Sequence, residues 1–433
     1  MSMYKCVIVG GGIHGAYCCQ RLLNDTELTH DDLCILDPHE QLLESFRQKA
    51  RACDMDALRS TFVHHVGTDP FGLESFAEAR DREDELLPQP SYPRRPSLSL
   101  FLDYAAFVID RTGIDDLHHQ TTVTSIRRDC SGGPLVVETT DRTGRTSSIR
   151  TRTCVLAIGP GDRYRRPAWV DGVESISHVW DDDFDPVRAR NEDQETIVVG
   201  GGITAAQLAR CLAEHDGEPA SRTAESTDTT LLSRHDLETA AIEADSHWIN
   251  WNHIERRLHR HPPGSKARYD TIQAARNDGT VPPTLIEQLE SAIDAGSLQL
   301  RRGTVRSARV TEGRVRLLLA DGGCLTGDRV VLATGFEPVF DHPFVDRLAQ
   351  AFELECGHRG LAVLDDETLA WMRTDGTQSA LFVTGALAAG TVGPFAANIA
   401  GARRAADRLT ASVPVAAEAA SDEKCTETAT HTV

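Results

Sequence analysis

Paired cysteines, lysine and long apolar runs are scarce in this 433-residue sequence, and each absence closes off a class of function. Its eleven cysteines, at positions 6, 18, 19, 34, 53, 130, 154, 211, 324, 356 and 425, never fall as Cys-x-x-Cys. A zinc ribbon or a redox-active disulfide uses that spacing, so the odd, scattered set reads as reduced thiols inside apolar segments. No stretch approaches the roughly 20 uninterrupted apolar residues that cross a bilayer. The first residues run straight into a strand-like pattern with no basic, then apolar, leader. No membrane partner and a cytoplasmic location are the expectations. Only Lys5, Lys49, Lys266 and Lys424 are lysines, and the formal net charge is −20. Such a surface repels nucleic acid and anionic lipid, and suits solubility in high salt, where self-repulsion is screened.

What is present is enough for two or three domains, with 40% hydrophobic and 25% charged residues. Residues 5–10 form an apolar run, followed by glycines and a helix pattern from Ile13 to about Asn24. "LCILDP" (33–38) reads as the next parallel strand, apolar throughout because both faces are buried. The stretch 39–110 is mixed helix and loop, broken by the proline-rich 87–96, and 121–158 alternates like a β-meander. A second strand-turn-helix starts at Thr196, with its next strand at 229–234. The polar 214–228 between them reads as a surface insertion. A His- and Arg-rich helical region (238–295), strands near 298–332 and a last strand-helix unit follow. Residues 411–433 are small and polar, and we expect them to be disordered.

"KCVIVGGGIHGAYCCQRLL" (5–23) and "TIVVGGGITAAQLARCLAE" (196–214) are near copies. In Gly10-x-Gly12-x-x-Gly15 the first glycine allows a tight turn, the second lets a pyrophosphate approach the backbone, and the third packs helix on strand. Asp37, 22 residues past Gly15, would accept hydrogen bonds from a ribose. The repeat is Gly200-x-Gly202-x-x-Ala205, and its strand tip carries Arg234, whose fork suits a 2′-phosphate. Two such cradles imply electron transfer between two dinucleotides, a nicotinamide and a flavin. The expected fold is α/β with two Rossmann-like domains, parallel sheets and a β-meander. A discontinuous FAD domain (1–180 plus 325–410) would enclose an inserted NAD(P)H domain (195–324) that includes the helical segment.

With those motifs in hand, the chain resembles the two-dinucleotide flavoproteins, and within them the lysine and ornithine N-hydroxylases. Asp328-x-x-x-Leu332-Ala333-Thr334-Gly335-Phe336 is similar to their D-x3-L/F-ATG-Y signature, and "VLAIGP" (155–160) is an earlier near-copy. "MDALRSTFVHHVGTDPFGLESF" (55–76) is similar to the segment that lines the flavin, and "ISHVW" (176–180) to the domain linker. "GPFAANIAGARRAA" (393–406) is similar to the closing helix that faces the flavin. The resemblance implies FAD and NADPH as cofactors, with Gly335 and Gly385 beside them. It implies that reduced flavin binds oxygen and that a flavin hydroperoxide hydroxylates a small amine-type metabolite in a dry pocket. Gly385-Ala386 stands where disulfide reductases of this fold carry Gly-Asp.

For catalytic side chains the sequence offers only weak candidates. His64 and His65 face either flavin or structure, and His178 either braces the linker or lies on the surface beside Asp181. His247, His253, His259 and His261 have the wrong spacing for a metal on one helix face, so no metal is expected. Trp248 and Trp251 read as core or interface packing. Two alternatives remain open: a reductase or dehydrogenase passing electrons to a quinone, carrier or small molecule, and a non-catalytic flavin redox sensor.

Overall fold

The computed structural model describes residues 3–129, 133–173, 175–191, 194–214 and 229–422. Its two parallel sheets are each built around one of the glycine turns. In the first, Gln378–Val383, Thr146–Leu156, Tyr4–Val9, Leu33–Asp37 and His118–Gln120 lie side by side, with Ala370–Met372 antiparallel at the edge. In the second the order is Leu298–Arg302, Thr229–Ser233, Thr196–Val199, Arg329–Leu332 and Ile176–His178, all parallel. Continuous Val, Ile and Leu runs make these strands because helices or further strands cover both faces. The expected meander is Thr122–Arg128, Leu135–Thr140 and the start of Thr146–Leu156.

Strands Ile176–His178 and Arg329–Leu332 join the second sheet, inside the stretches expected to belong to the first lobe. The reason is register: Leu332 pairs with both Val199 and His178, which buries that ladder. The two crossovers between the lobes meet in a bridge between Tyr164 and Phe336. Arg165 N–H donates to the Gly335 carbonyl at 2.9 Å, and Glu337 N–H to Arg163 at 2.9 Å. Trp180 stacks on Phe336 at 4.3 Å and Tyr164 on His178 at 4.8 Å, so aromatic faces pack the two crossovers together.

The proline-rich stretch is an antiparallel hairpin, Leu86–Gln89 with Tyr92–Pro96, whose prolines sit at its ends and edge. The helical segment divides: Ile242, Trp248, Ile254, Leu258 and Ile272 share a core with Phe395 and Ala400, away from the second sheet, whereas helix Pro283–Asp294 packs Leu285 and Leu289 onto that sheet. Arg59 fastens the first part further, donating to the carbonyls of Ala240 at 2.7 Å and Ile242 at 3.1 Å. Expected disorder from residue 411 is corrected, since helix Ile399–Asp422 runs through it. Leu409, Val413 and Ala417 recur every four residues and are buried, and alanine is the best helix former, so docking overrides the bland composition. Residues 215–228 and 423–433, the rest of the expected insertion and tail, lie outside the described residues. Among the described residues no helix is long and apolar enough to cross a membrane.

Candidate active site

The first turn has the shape a pyrophosphate requires. Gly10 adopts φ +111°, and a Cβ there would lie 2.5 Å from the Ala157 carbonyl oxygen, so no side chain fits. A Cβ at Gly15 would collide with the Gly10 carbonyl oxygen. Gly12 differs: a Cβ there would meet nothing within 4 Å, because it opens into free space at the start of helix Ile13–Asp25. That cradle, with unpaired N–H groups at a 13-residue helix N-terminus, fits a dinucleotide. Asp37 closes the turn by accepting from Gly11 N–H at 2.6 Å and His39 N–H at 2.9 Å. Oδ1 also accepts from His39 Nδ1 at 2.8 Å, which leaves the second lone pair of Oδ2 for a ribose hydroxyl. Gly385, φ +76°, comes over the same turn, with its Cβ position 3.7 Å from the Ile158 carbonyl oxygen.

The second turn repeats the strand-to-strand backbone pairing of the first. Gly10 N–H donates to Leu36 at 2.8 Å and Gly200 N–H to Leu232 at 3.0 Å. Ala157 N–H donates to Val9 at 2.8 Å and Ala333 N–H to Val199 at 2.9 Å. A Cβ at Gly200 would lie 2.5 Å from the Ala333 carbonyl oxygen, as Gly10 does from Ala157. "VLAIG" and "VLATG" are thus one backbone device used twice, and Gly335, the last residue of the second copy, adopts φ +80°. Ala205 is buried, so a methyl is accommodated at the third position here. By the same register Ser233 occupies the position of Asp37. Its hydroxyl is buried without a partner, and Arg234 beyond it is exposed.

The three histidines part ways. His65 is fully buried with both nitrogens used, Nε2 donating to the Pro70 carbonyl at 3.2 Å and Nδ1 accepting from Gly67 N–H at 3.1 Å. It is a structural neutral imidazole, with no proton to exchange with a substrate. His178, expected either at the linker or on the surface, is buried at the linker, packed on Tyr164 and accepting from Trp180 N–H at 3.4 Å. His64 is half-buried with Thr61 Oγ1 at 3.5 Å, under the field of Arg403 and Arg404 of the closing helix, and Arg403 acts on His65 as well. Among the described residues, no three His, Cys, Asp or Glu side chains are disposed to hold a metal.

Burial pushes the imidazoles of His64, His65 and His178, and of His14 in the first turn, down to about 4. The unfolded chain protonates them from about pH 6.5 downward while the folded protein does not. Their contribution is therefore complete above pH 6.5 and is lost as pH falls toward 4. The melting temperature is expected to drop between pH 6.5 and 5, before carboxylates titrate, and to be insensitive to these groups above pH 7. A melting series at constant ionic strength checks this, and a flat profile from 6.5 to 5 would contradict it.

A model of the L-lysine 6-monooxygenase/L-ornithine 5-monooxygenase family matches residues 93–338, and one for FAD-NAD(P)-binding proteins matches residues 7–161. The chain belongs to the L-lysine 6-monooxygenase/L-ornithine 5-monooxygenase family. Like that family it is an FAD- and NADPH-dependent flavin monooxygenase that hydroxylates an amine. Its fold matches ornithine hydroxylase from Pseudomonas aeruginosa at 16% identity, covering 96% of this chain and 99% of that one, with a TM-score of 0.73. The FAD-bound cadaverine monooxygenase of Erwinia amylovora matches at 16% identity, 95% of both chains and a TM-score of 0.72. L-lysine 6-monooxygenase from Pseudomonas syringae matches at 17%, 95% and 99%, and 0.68. No curated protein sequence matches the chain.

Within this monooxygenase framework the sequence reading passed over several side chains. His14, inside the first turn, places Nδ1 3.0 Å from Thr384 Oγ1, joining the turn to the segment that carries Gly385. Lys49, one of four lysines, stands beside Tyr164 in a cleft of about 790 Å³ that runs from His39 to Trp180. Its rarity was a readable signal. Arg59 and Arg268, which hold the helical segment, were hidden among many arginines.

Proposed function

We propose that the enzyme N-hydroxylates a small primary alkylamine, a diamine or a basic amino acid. FAD would lie on Gly10, Gly12, Gly15, Asp37 and Gly385, and NADPH on Gly200, Gly202, Ala205, Arg234 and Gly335. The overall balance is amine, oxygen, NADPH and a proton giving hydroxylamine, water and NADP. Bound FAD supplies the path by which two NADPH electrons reach oxygen. The chain's part is to cradle, orient and keep dry. Its carrying observation is the pair of register-equivalent turns with unlike strand tips, Asp37 against Ser233-Arg234, in a chain of this family.

The relatives named above act on ornithine, cadaverine and lysine, which share a primary amine on an alkyl chain. A recess of about 690 Å³, lined by Tyr92, Ile242, Asp245, Trp248, Arg257 and Asn277 among others, has the size for such a ligand, and Asp245, whose Oδ1 is held by His247, offers Oδ2 to the ammonium. The −20 net charge draws cations toward it. The nine described cysteines are free and seven are buried, which supports a reducing cytoplasm.

The test is anaerobic addition of NADPH to the FAD-loaded enzyme in high salt, then oxygen with cadaverine, lysine or ornithine. Flavin bleaching and one hydroxylamine per NADPH are expected. No bleaching overturns the cofactor assignment. Bleaching with peroxide and no hydroxylamine from any of the three overturns the substrate class.

A further inference from the structure

The segment after strand Gln378–Val383 is held from two sides. Thr384 N–H donates to Leu156 at 3.0 Å and its hydroxyl meets His14, so the segment leaves the sheet directly over the first glycine turn. This is the carboxyl edge of the parallel strands, where ligands of such sheets bind. A short helix, Ala389–Val392, then ends at Gly393, φ +87°, which leaves its last carbonyls without helical partners.

Basic side chains from the distant helical segment take three carbonyls of this turn. Arg268 Nη1 donates to Gly390 at 2.9 Å, His259 Nε2 to Thr391 at 2.8 Å, and Arg276 Nη1 to Pro394 at 3.1 Å. Arg268 is 1% exposed and engages all three guanidinium nitrogens: Nε on the His261 carbonyl at 2.8 Å, and a fork on Asp366 at 2.6 Å for each arm. Asp366 also faces Thr391 Oγ1 at 3.3 Å. Trp248, Leu258 and Ile254 pack within 4 Å of the Cβ position of Gly393. The helix that carries Arg268, Lys266–Ala275, also supplies Thr271, Ala274 and Ala275 to the 690 Å³ recess. One rigid element therefore touches the recess on one side and the turn on the other.

We propose that Arg268, His259 and Arg276 are positioning residues that grip residues 390–394 by their carbonyls, tying the amine recess to the strap over the first glycine turn. Their function is to keep hydroxylation coupled to NADPH oxidation; this rests on the placement of FAD and amine proposed above. When the grip is lost, NADPH and oxygen still react, but two electrons and two protons leave on oxygen as hydrogen peroxide and the amine is untouched.

Arg268 is core, so the test uses the half-exposed Arg276 and the shallower His259. The double variant R276Q/H259Q is compared with R256Q, an exposed arginine on the same segment that touches neither recess nor strap. Expected for the double variant are unchanged FAD content, an amine KM raised about tenfold and a majority of NADPH electrons appearing as peroxide, with R256Q at wild-type values. Hydrogen exchange supplies a readout independent of turnover: amides of residues 389–396 should exchange about tenfold faster in the double variant alone. Wild-type coupling and amine KM together with wild-type exchange overturn the proposal. If the wild-type enzyme itself fails to bleach with NADPH, the functional reading falls, and the exchange comparison by itself decides whether the grip exists.

Discussion

Gly12→Glu is expected to leave the fold intact and abolish FAD retention. At φ −72° the residue sits in ordinary extended space, and a Cβ there touches nothing within 4 Å, so the substitution costs the apoprotein little. The added carboxylate fills the cradle and sets a negative charge where a pyrophosphate must approach the helix N-terminus. An uncompensated charge in such a site costs on the order of 4 kcal/mol, about a thousandfold in affinity. Gly15→Ala is the contrasting control: its methyl collides with the Gly10 carbonyl, so it should lower the melting temperature as well as FAD content. Gly202→Glu tests the second cradle separately. Its Cβ position is 3.6 Å from Gly279, an ordinary contact, so FAD should be retained while bleaching by NADPH is lost. Flavin absorbance after gel filtration, thermal melts and anaerobic reduction check the three variants. If Gly12→Glu keeps its FAD, the first turn is not the flavin site.

The difference between these glycines marks how far the sequence could be read. Strand, turn, helix and strand tip are local in sequence, and their periods and spacings place Gly10 to Asp37 and Gly200 to Arg234 where the coordinates do. "VLAIGP" and "VLATGF" were legible as copies, but that each seats its alanine carbonyl against a first glycine is a fact of register between strands about 130 to 150 residues apart. Contacts of that kind leave no periodic trace. Arg268 looked like any other arginine until Asp366 and Gly390, about 100 and 120 residues on, came to meet it. His65 failed as a catalytic candidate for the same reason in reverse. Its neighbours Gly67 and Pro70 are close in sequence, yet only a specific turn points both of their polar groups at one ring. Helix 411–422 was missed because alanine and serine give no apolar stripe by themselves, and the seam of Leu409, Val413 and Ala417 acquires meaning only against the rest of the core.

Arg234→Ala should lower kcat/KM for NADPH by about ten- to a hundredfold and leave that for NADH nearly unchanged. Removing a charge-assisted contact to a 2′-phosphate forfeits roughly 1.5–3 kcal/mol, and NADH has no phosphate to lose. The prediction rests on the register equivalence of the strand tips. In the first turn the carboxylate of Asp37 holds Gly11 N–H at 2.6 Å and repels any anion beside the ribose. In the second that place belongs to Ser233, a neutral hydroxyl without a protein partner, so nothing there opposes a phosphate. Ser233→Asp should accordingly do more than Arg234→Ala. It copies the first tip into the second site, where the new carboxylate can close on Gly201 N–H as Asp37 does on Gly11 and expel the phosphate by repulsion. The Ser233→Asp/Arg234→Ala double variant is expected to prefer NADH while its FAD content and its coupling with amine stay as in the wild type. Stopped-flow bleaching with each nucleotide measures both changes. If the double variant still favours NADPH, then Ser233 and Arg234 do not read the phosphate, and another cation must. Arg302, paired in register with Ser233 on the neighbouring strand, is the next to replace.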